Sequence, residues 1–145
     1  RSLVAHRRQL GQGDGLHWLV PATYHVQVIV FRGRDVAELE HAVDQTLRQF
    51  ARRIGSHQEP PINLLATFDG PEWNLYLLPR AKHRPACYFD GSLTVSPASL
   101  DMAGCLVVPV AEQFDTISAR QVLQVYSEVT FPGESFASLL RDLSR

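Results

Sequence analysis

Eight residues between Asn63 and Arg84 carry side chains suited to ligand chemistry. Glu72, Asn74 and Tyr76 alternate along a run, TrpAsnLeuTyrLeuLeu from Trp73 to Leu78, whose other face holds Trp73, Leu75 and Leu77. Successive strand side chains point to opposite faces, so one face is lined by hydrogen-bonding groups and the other is apolar. Pro79 ends the run, and Arg80, Lys82, His83 and Arg84 follow within five positions. A polar strand face leading into a cationic exit suits a phosphorylated ligand. Guanidinium groups grip phosphate through charge-assisted, often bidentate, hydrogen bonds. The competing reading is structural: a solvated basic turn, or Arg80 paired with Glu72 or Asp90.

Other combinations of reactive residues fail on spacing. His17 and His25 are isolated, and neither belongs to a His-x-x-x-His or His-x-Glu pattern for a metal. Ser96 and Ser99 lack the Gly-x-Ser-x-Gly elbow of a serine nucleophile. Asp101 and Asp115 have nothing to mark them as a catalytic pair. Gly11, Gly13 and Gly15 follow no strand and precede no Lys-Ser/Thr, so the phosphate-loop reading fails. Cys87 and Cys105 match no zinc or redox spacing and read as two thiols in a reducing compartment, with a disulfide between them as the alternative. No catalytic residue, metal site or cofactor is assigned.

The elements that position the eight residues follow from periodicity. Residues 1–15 read as a mobile N-terminal arm, and 16–145 as one domain. Leu16–Val20 and Tyr24–Phe31 are strand material. Asp35 caps a long helix in which Val36, Leu39, Val43, Leu47, Phe50 and Ile54 recur at spacings of three and four. Arg48, Arg52 and Arg53 complement its C-terminal dipole, and Gly55 stops it. Asn63–Leu78 is a hairpin turning at Asp69-Gly70-Pro71. Ser92–Val95 and Cys105–Pro109 read as two more strands. Helices follow from Ala119 to Val129, capped by Ser118, and from Gly133 or Ser135 onward. Strands on short turns with segregated helices make an α+β fold with an antiparallel sheet.

Composition narrows the function. The 145 residues suffice for one core, burying roughly 70% of the unfolded surface. A net charge of −1 leaves no broad surface for nucleic acid, so any cationic site is local. Neither a signal-peptide pattern nor an apolar run of ~20 residues is found, and a soluble, cytoplasmic protein without membrane contact is expected.

The frame Glu72-Trp-Asn74-Leu-Tyr76-Leu-Leu-Pro79-Arg80 resembles the strand end of histidine-triad proteins. There, His-x-His-x-His (or Gln) is followed by two apolar residues and Pro-Arg. Glu72, Asn74 and Tyr76 fall at the triad positions, and Asn63 matches an asparagine typical of the neighbouring strand. Ser96, Pro97, Met102 and Gly104 match a small-residue loop of the nucleotidyltransferase relatives. The pattern is similar to the C-terminal half of two-lobed enzymes: diadenosine tetraphosphate phosphorylases, galactose-1-phosphate uridylyltransferases and GDP-hexose phosphorylases. The resemblance implies a histidine-triad-like sheet with a degenerate triad. An amide at Asn74 cannot form the covalent intermediate that a histidine forms. The nucleophile would then lie in a preceding catalytic lobe, and this lobe would help hold a nucleotide or nucleotide-sugar. The alternative is a non-catalytic binding or assembly module whose polar strand face is an interface with another domain or a second copy.

Overall fold

The computed structural model describes residues 4–9, 17–21 and 26–143, with the side chains of 4–9, 17 and 19–21 left aside. Of the residues singled out above, Gly11, Gly13, Gly15, Leu16, Tyr24 and His25 lie outside the described residues. Five antiparallel strands form one sheet: β1 (Val4–Gln9), β2 (His17–Pro21), β3 (Ile29–Gly33), β4 (Ile62–Phe68) and β5 (Trp73–Pro79). Their order is β1-β2-β3-β5-β4, so β3 is central, the hairpin strand β5 is internal and β4 is an edge. Part of the expected arm, Val4–Gln9, is thus a sheet strand, paired with β2 from Val4↔Pro21 to Gln9↔His17. Its polar sequence gives no apolar alternation. Strand pairing is made by backbone groups and leaves no such trace in the side chains.

The α1 helix (Val36–Arg53) begins where expected. The Asp35 carboxylate accepts from the Ala37 and Glu38 amides at 2.8 and 3.2 Å, supplying partners to two orphan N–H groups. Leu39, Val43 and Phe50 are buried as the periodicity requires, while Val36 and Ile54, at the two ends, are exposed. The basic last turns are ion-paired: Arg48 with Asp44, four residues back, and Arg53 with Asp142.

Helices cover both faces of the sheet. Ile29, Phe31 and Leu77 meet α1 and α6 (Gly133–Leu143) through Leu39, Phe50, Phe136 and Leu139. The register Ile29↔Leu77, Phe31↔Leu75 places these side chains on one face. On the other face Val28, Val30 and Leu78 meet Met102 of α3 (Ser99–Met102) and Tyr126 and Val129 of α5 (Ala119–Val129). Ser118 and Gln121 cap α5 reciprocally. Two further short helices, α2 (Ala86–Asp90) and α4 (Ala111–Thr116), escape the periodicity because each is under two turns. Gly91 closes α2 in the left-handed conformation, φ 76°.

Ser92–Val95 and Cys105–Pro109 are not strands. Leu93 and Val95 are buried beside Val125, which accounts for their alternation. Their backbone donors, however, go elsewhere than a neighbouring strand. Thr94 N–H donates to Gln113 Oε1 at 2.7 Å, and Val107 N–H to Asp101 Oδ1 at 2.7 Å. Alternating burial therefore reflects extended chain under α5, with no ladder. Among the described residues no helix is long and apolar enough to cross a membrane.

Candidate functional site

The eight predicted site residues separate into three places. At the hairpin turn, Asp69 N–H donates to Glu72 O at 3.1 Å, and Gly70 takes φ 95°. The Glu72 carboxylate receives Arg32 Nε at 2.5 Å and lies 3.7 Å from Arg34 Nε. Asn74, buried, donates from Nδ2 to Asp69 Oδ2 at 3.3 Å, and Arg32 Nη2 reaches the same oxygen at 3.2 Å. Glu72 therefore fastens the hairpin to β3 through Arg32, and Asn74 holds the Asp69 carboxylate of the turn, which Arg32 also reaches. Glu72 and Asn74 stand apart from the cationic exit, because six residues of strand separate Asn74 from Arg80 by about 20 Å. Tyr76 lies between, on the wall of an apolar cleft.

Arg80 is the largest departure from expectation. It is only 2% exposed and faces neither Glu72 nor Asp90. Its Nε donates to Lys82 O (3.2 Å), Nη1 to Asn63 Oδ1 (2.8 Å) and Pro97 O (2.5 Å), and Nη2 to His83 O (2.7 Å). The Arg80 backbone N–H donates to Pro61 O, and Ala81 N–H donates to Val129 O, both at 2.9 Å. The guanidinium thus joins β4, the turn after β5 and the loop before α3. Burial pushes its pKa below the ordinary value, while Asp101 opposes the shift. The sequence could not reveal this, because two acceptors, Asn63 Oδ1 and Pro97 O, lie seventeen residues away on either side, and the two nearby ones are backbone carbonyls with no side-chain signature.

With Arg80 as a floor, Lys82, His83 and Arg84 stand exposed around a cleft of about 640 Å³, whose lining includes Asn63, Ser96, Pro97 and Phe89. Arg84 Nε donates to Ser96 Oγ at 3.1 Å, and its guanidinium lies 4.1 Å from the Tyr88 ring centroid. Such a contact orients the fork while leaving its edge open. Lys82 Nζ meets Glu128 Oε2 at 2.8 Å. That ammonium, with the Ala86 amide, pulls the Glu128 carboxyl down to about 2.

Two carboxylates that the sequence did not mark support this cleft. Asp101, 5% exposed, accepts the Ala98 amide at 2.8 Å and the Val107 amide at 2.7 Å. Its backbone carbonyl accepts Tyr126 Oη at 2.6 Å. The spacing from Ala98 to Asp101 is that of a helix cap and its third residue, which is a local signal for this role. Glu128 has no comparable signal, since its partners come from a different segment. Cys87 and Cys105 are free, and burial together with Glu128 and Asp90 raises the Cys87 thiol pKa. Among the described residues no group of three or more His, Cys, Asp or Glu is placed to hold a metal ion.

The fold is thus an α+β domain with exposed cations around a cleft whose floor is the buried Arg80 guanidinium. The chain belongs to the family described as GDPGP1-like, C-terminal domain, which matches residues 6–144. No curated protein and no solved structure matches it.

Proposed function

We propose that this domain is the C-terminal lobe of a histidine-triad-like nucleotide or nucleotide-sugar phosphorylase. In this reading it contributes a phosphate-holding cleft and leaves the nucleophile to a preceding lobe. The observation that carries the reading is the Arg80-floored cleft, where Lys82, His83 and Arg84 converge with Ser96. Membership of a family defined by a C-terminal domain supports the two-lobed arrangement. Three of the eight residues take new roles. Arg80 and Asn63 build the cleft wall, and Asn74 fastens the hairpin. Arg84, Lys82 and His83 are the groups that meet phosphate.

The test is incubation of the 145-residue chain with diadenosine tetraphosphate, UDP-glucose or GDP-glucose plus phosphate, alongside titration with the same compounds. Binding without turnover is expected. Turnover on the order of 1 s⁻¹ would contradict a non-catalytic lobe.

A second reading, an assembly surface, rests on the edge strand. β4 (IleAsnLeuLeuAlaThrPhe) carries no charge, Leu64 and Phe68 are exposed, and Leu64 shares a groove with the exposed Val36. Uncharged apolar edges invite pairing with another strand. Contact with a preceding lobe or with a second copy of the chain fits this edge better than the hairpin end of β5, where Glu72 is already ion-paired.

A further inference from the structure

A second cleft, of about 320 Å³, opens on the sheet face that carries Asn63. Its lining includes Val28, Leu65, Thr67, Tyr76, Leu78 and Met102, with the exposed Ala103 beside them. The two clefts meet across a single cross-strand pair. Asn63 lines the cationic cleft, and its partner Leu78 lines the apolar one. The next pair on the same face, Leu65↔Tyr76, is wholly in the apolar cleft. On β5, Arg80 and Leu78 divide in the same way. The α3 segment borders both: Ala98, just before it, faces the cations, and Met102 and Ala103, at its end, face the apolar cleft. Two residues of strand, about 7 Å, separate the compartments.

We propose that these compartments form one bipartite site, in which the apolar cleft receives the base of a nucleoside phosphate whose phosphate sits at Arg84 and Lys82. This rests on the phosphate-cleft reading above and decides which half of a nucleotide-sugar lies here. A hexose carries hydroxyls in every direction, and each one buried without a partner costs binding energy. Among the described residues, only Thr67 and Tyr76 bring polar side chains to this cleft. A planar base can instead lay its face on Tyr76, Leu65 and Leu78 and turn its polar edge to the open mouth. Aromatic rings stack on bases of any kind, so the site selects nucleoside over sugar more than one base over another.

Calorimetric titration of the 145-residue chain with AMP, GMP, glucose 1-phosphate and inorganic phosphate tests this, using Ala103→Phe, Thr67→Phe and Arg84→Gln. Ala103 and Thr67 are exposed, so larger side chains there fill the cleft without entering the core. The nucleoside monophosphates should bind at least tenfold more tightly than glucose 1-phosphate. Ala103→Phe and Thr67→Phe should each erase that preference and leave inorganic phosphate unaffected, and Arg84→Gln should weaken every ligand. Equal affinity for glucose 1-phosphate overturns the proposal, as does a preference that survives both Phe variants. If Arg84→Gln still weakens every ligand in that case, the phosphate cleft stands without its apolar annex. Ligands that bind neither the chain nor its variants overturn both.

Discussion

Arg80 Nη1 and Asn63 Oδ1 lie 2.8 Å apart, joining the start of β4 to the turn after β5. This contact converts two residues that looked like ligand contacts into the frame of a ligand site. Removing the guanidinium leaves the buried Pro97 carbonyl and the part-buried acceptors of Asn63, Lys82 and His83 without their donor. Each unsatisfied buried group costs about 1–3 kcal/mol. Arg80→Gln should therefore lower stability by roughly 3 kcal/mol in urea unfolding. A loss below ~0.5 kcal/mol, the range of an ordinary surface change, would mean that the clasp is not maintained.

Asn63→Ala tests the same clasp from its other side. It removes one acceptor of a charged donor and should cost about 1.5–3 kcal/mol. In a double-mutant cycle the two losses should be less than additive. Strict additivity would show that the pair does not interact.

The Lys82–Glu128 pair gives a pH signature. Glu128 titrates at about 2 in the folded chain against an ordinary 4.5, chiefly because Lys82 donates to it. A depressed carboxyl pKa stabilises above the unfolded value and loses that contribution as pH falls through the folded one. Stability should decline from about pH 4.5 toward about pH 2, and Glu128→Gln should flatten part of that slope. Parallel acid-unfolding curves for the two proteins would contradict the assignment. The pair is largely exposed, so its contribution at neutral pH is small and salt-sensitive.

Asp35→Ala should destabilise the chain by about 1 kcal/mol, since two amides of α1 lose their acceptor. Chemical denaturation measures it, and an unchanged midpoint would place the start of the helix elsewhere.

How much the sequence disclosed depends on the range of each interaction. The α1 cap, the β4–β5 hairpin and the α5 capping box are made within a few residues, and they lie where the local pattern puts them. The two faces of β5 also follow from alternation: Leu77 and Leu78 serve opposite cores. The buried setting of Arg80 is not legible locally, because it depends on Asn63 and Pro97, seventeen residues away on either side, and on backbone carbonyls of the following turn. The extended segments near Leu93 and Val107 imitate strands because burial beneath a helix imposes the same alternation as a sheet. Gln113 and Asp101 side chains there accept amide hydrogens that a ladder would otherwise use. Lys82, His83 and Arg84 do surround a common cleft as their spacing suggests, whereas Glu72 and Asn74 are drawn away by Arg32 and Asp69.

The proposed role of the cleft floored by Arg80 is to hold phosphate. Its most direct test is calorimetric titration of GDP into the chain and into a Lys82→Gln, Arg84→Gln double variant, at two ionic strengths. Both side chains are exposed, so the variant should unfold within about 0.5–1 kcal/mol of the parent. Saturable binding is expected, at least tenfold weaker in the variant and weaker again with salt, through loss of charge-assisted contacts and screening. Equal affinity in the two proteins, or no binding to the parent at either ionic strength, would contradict that role.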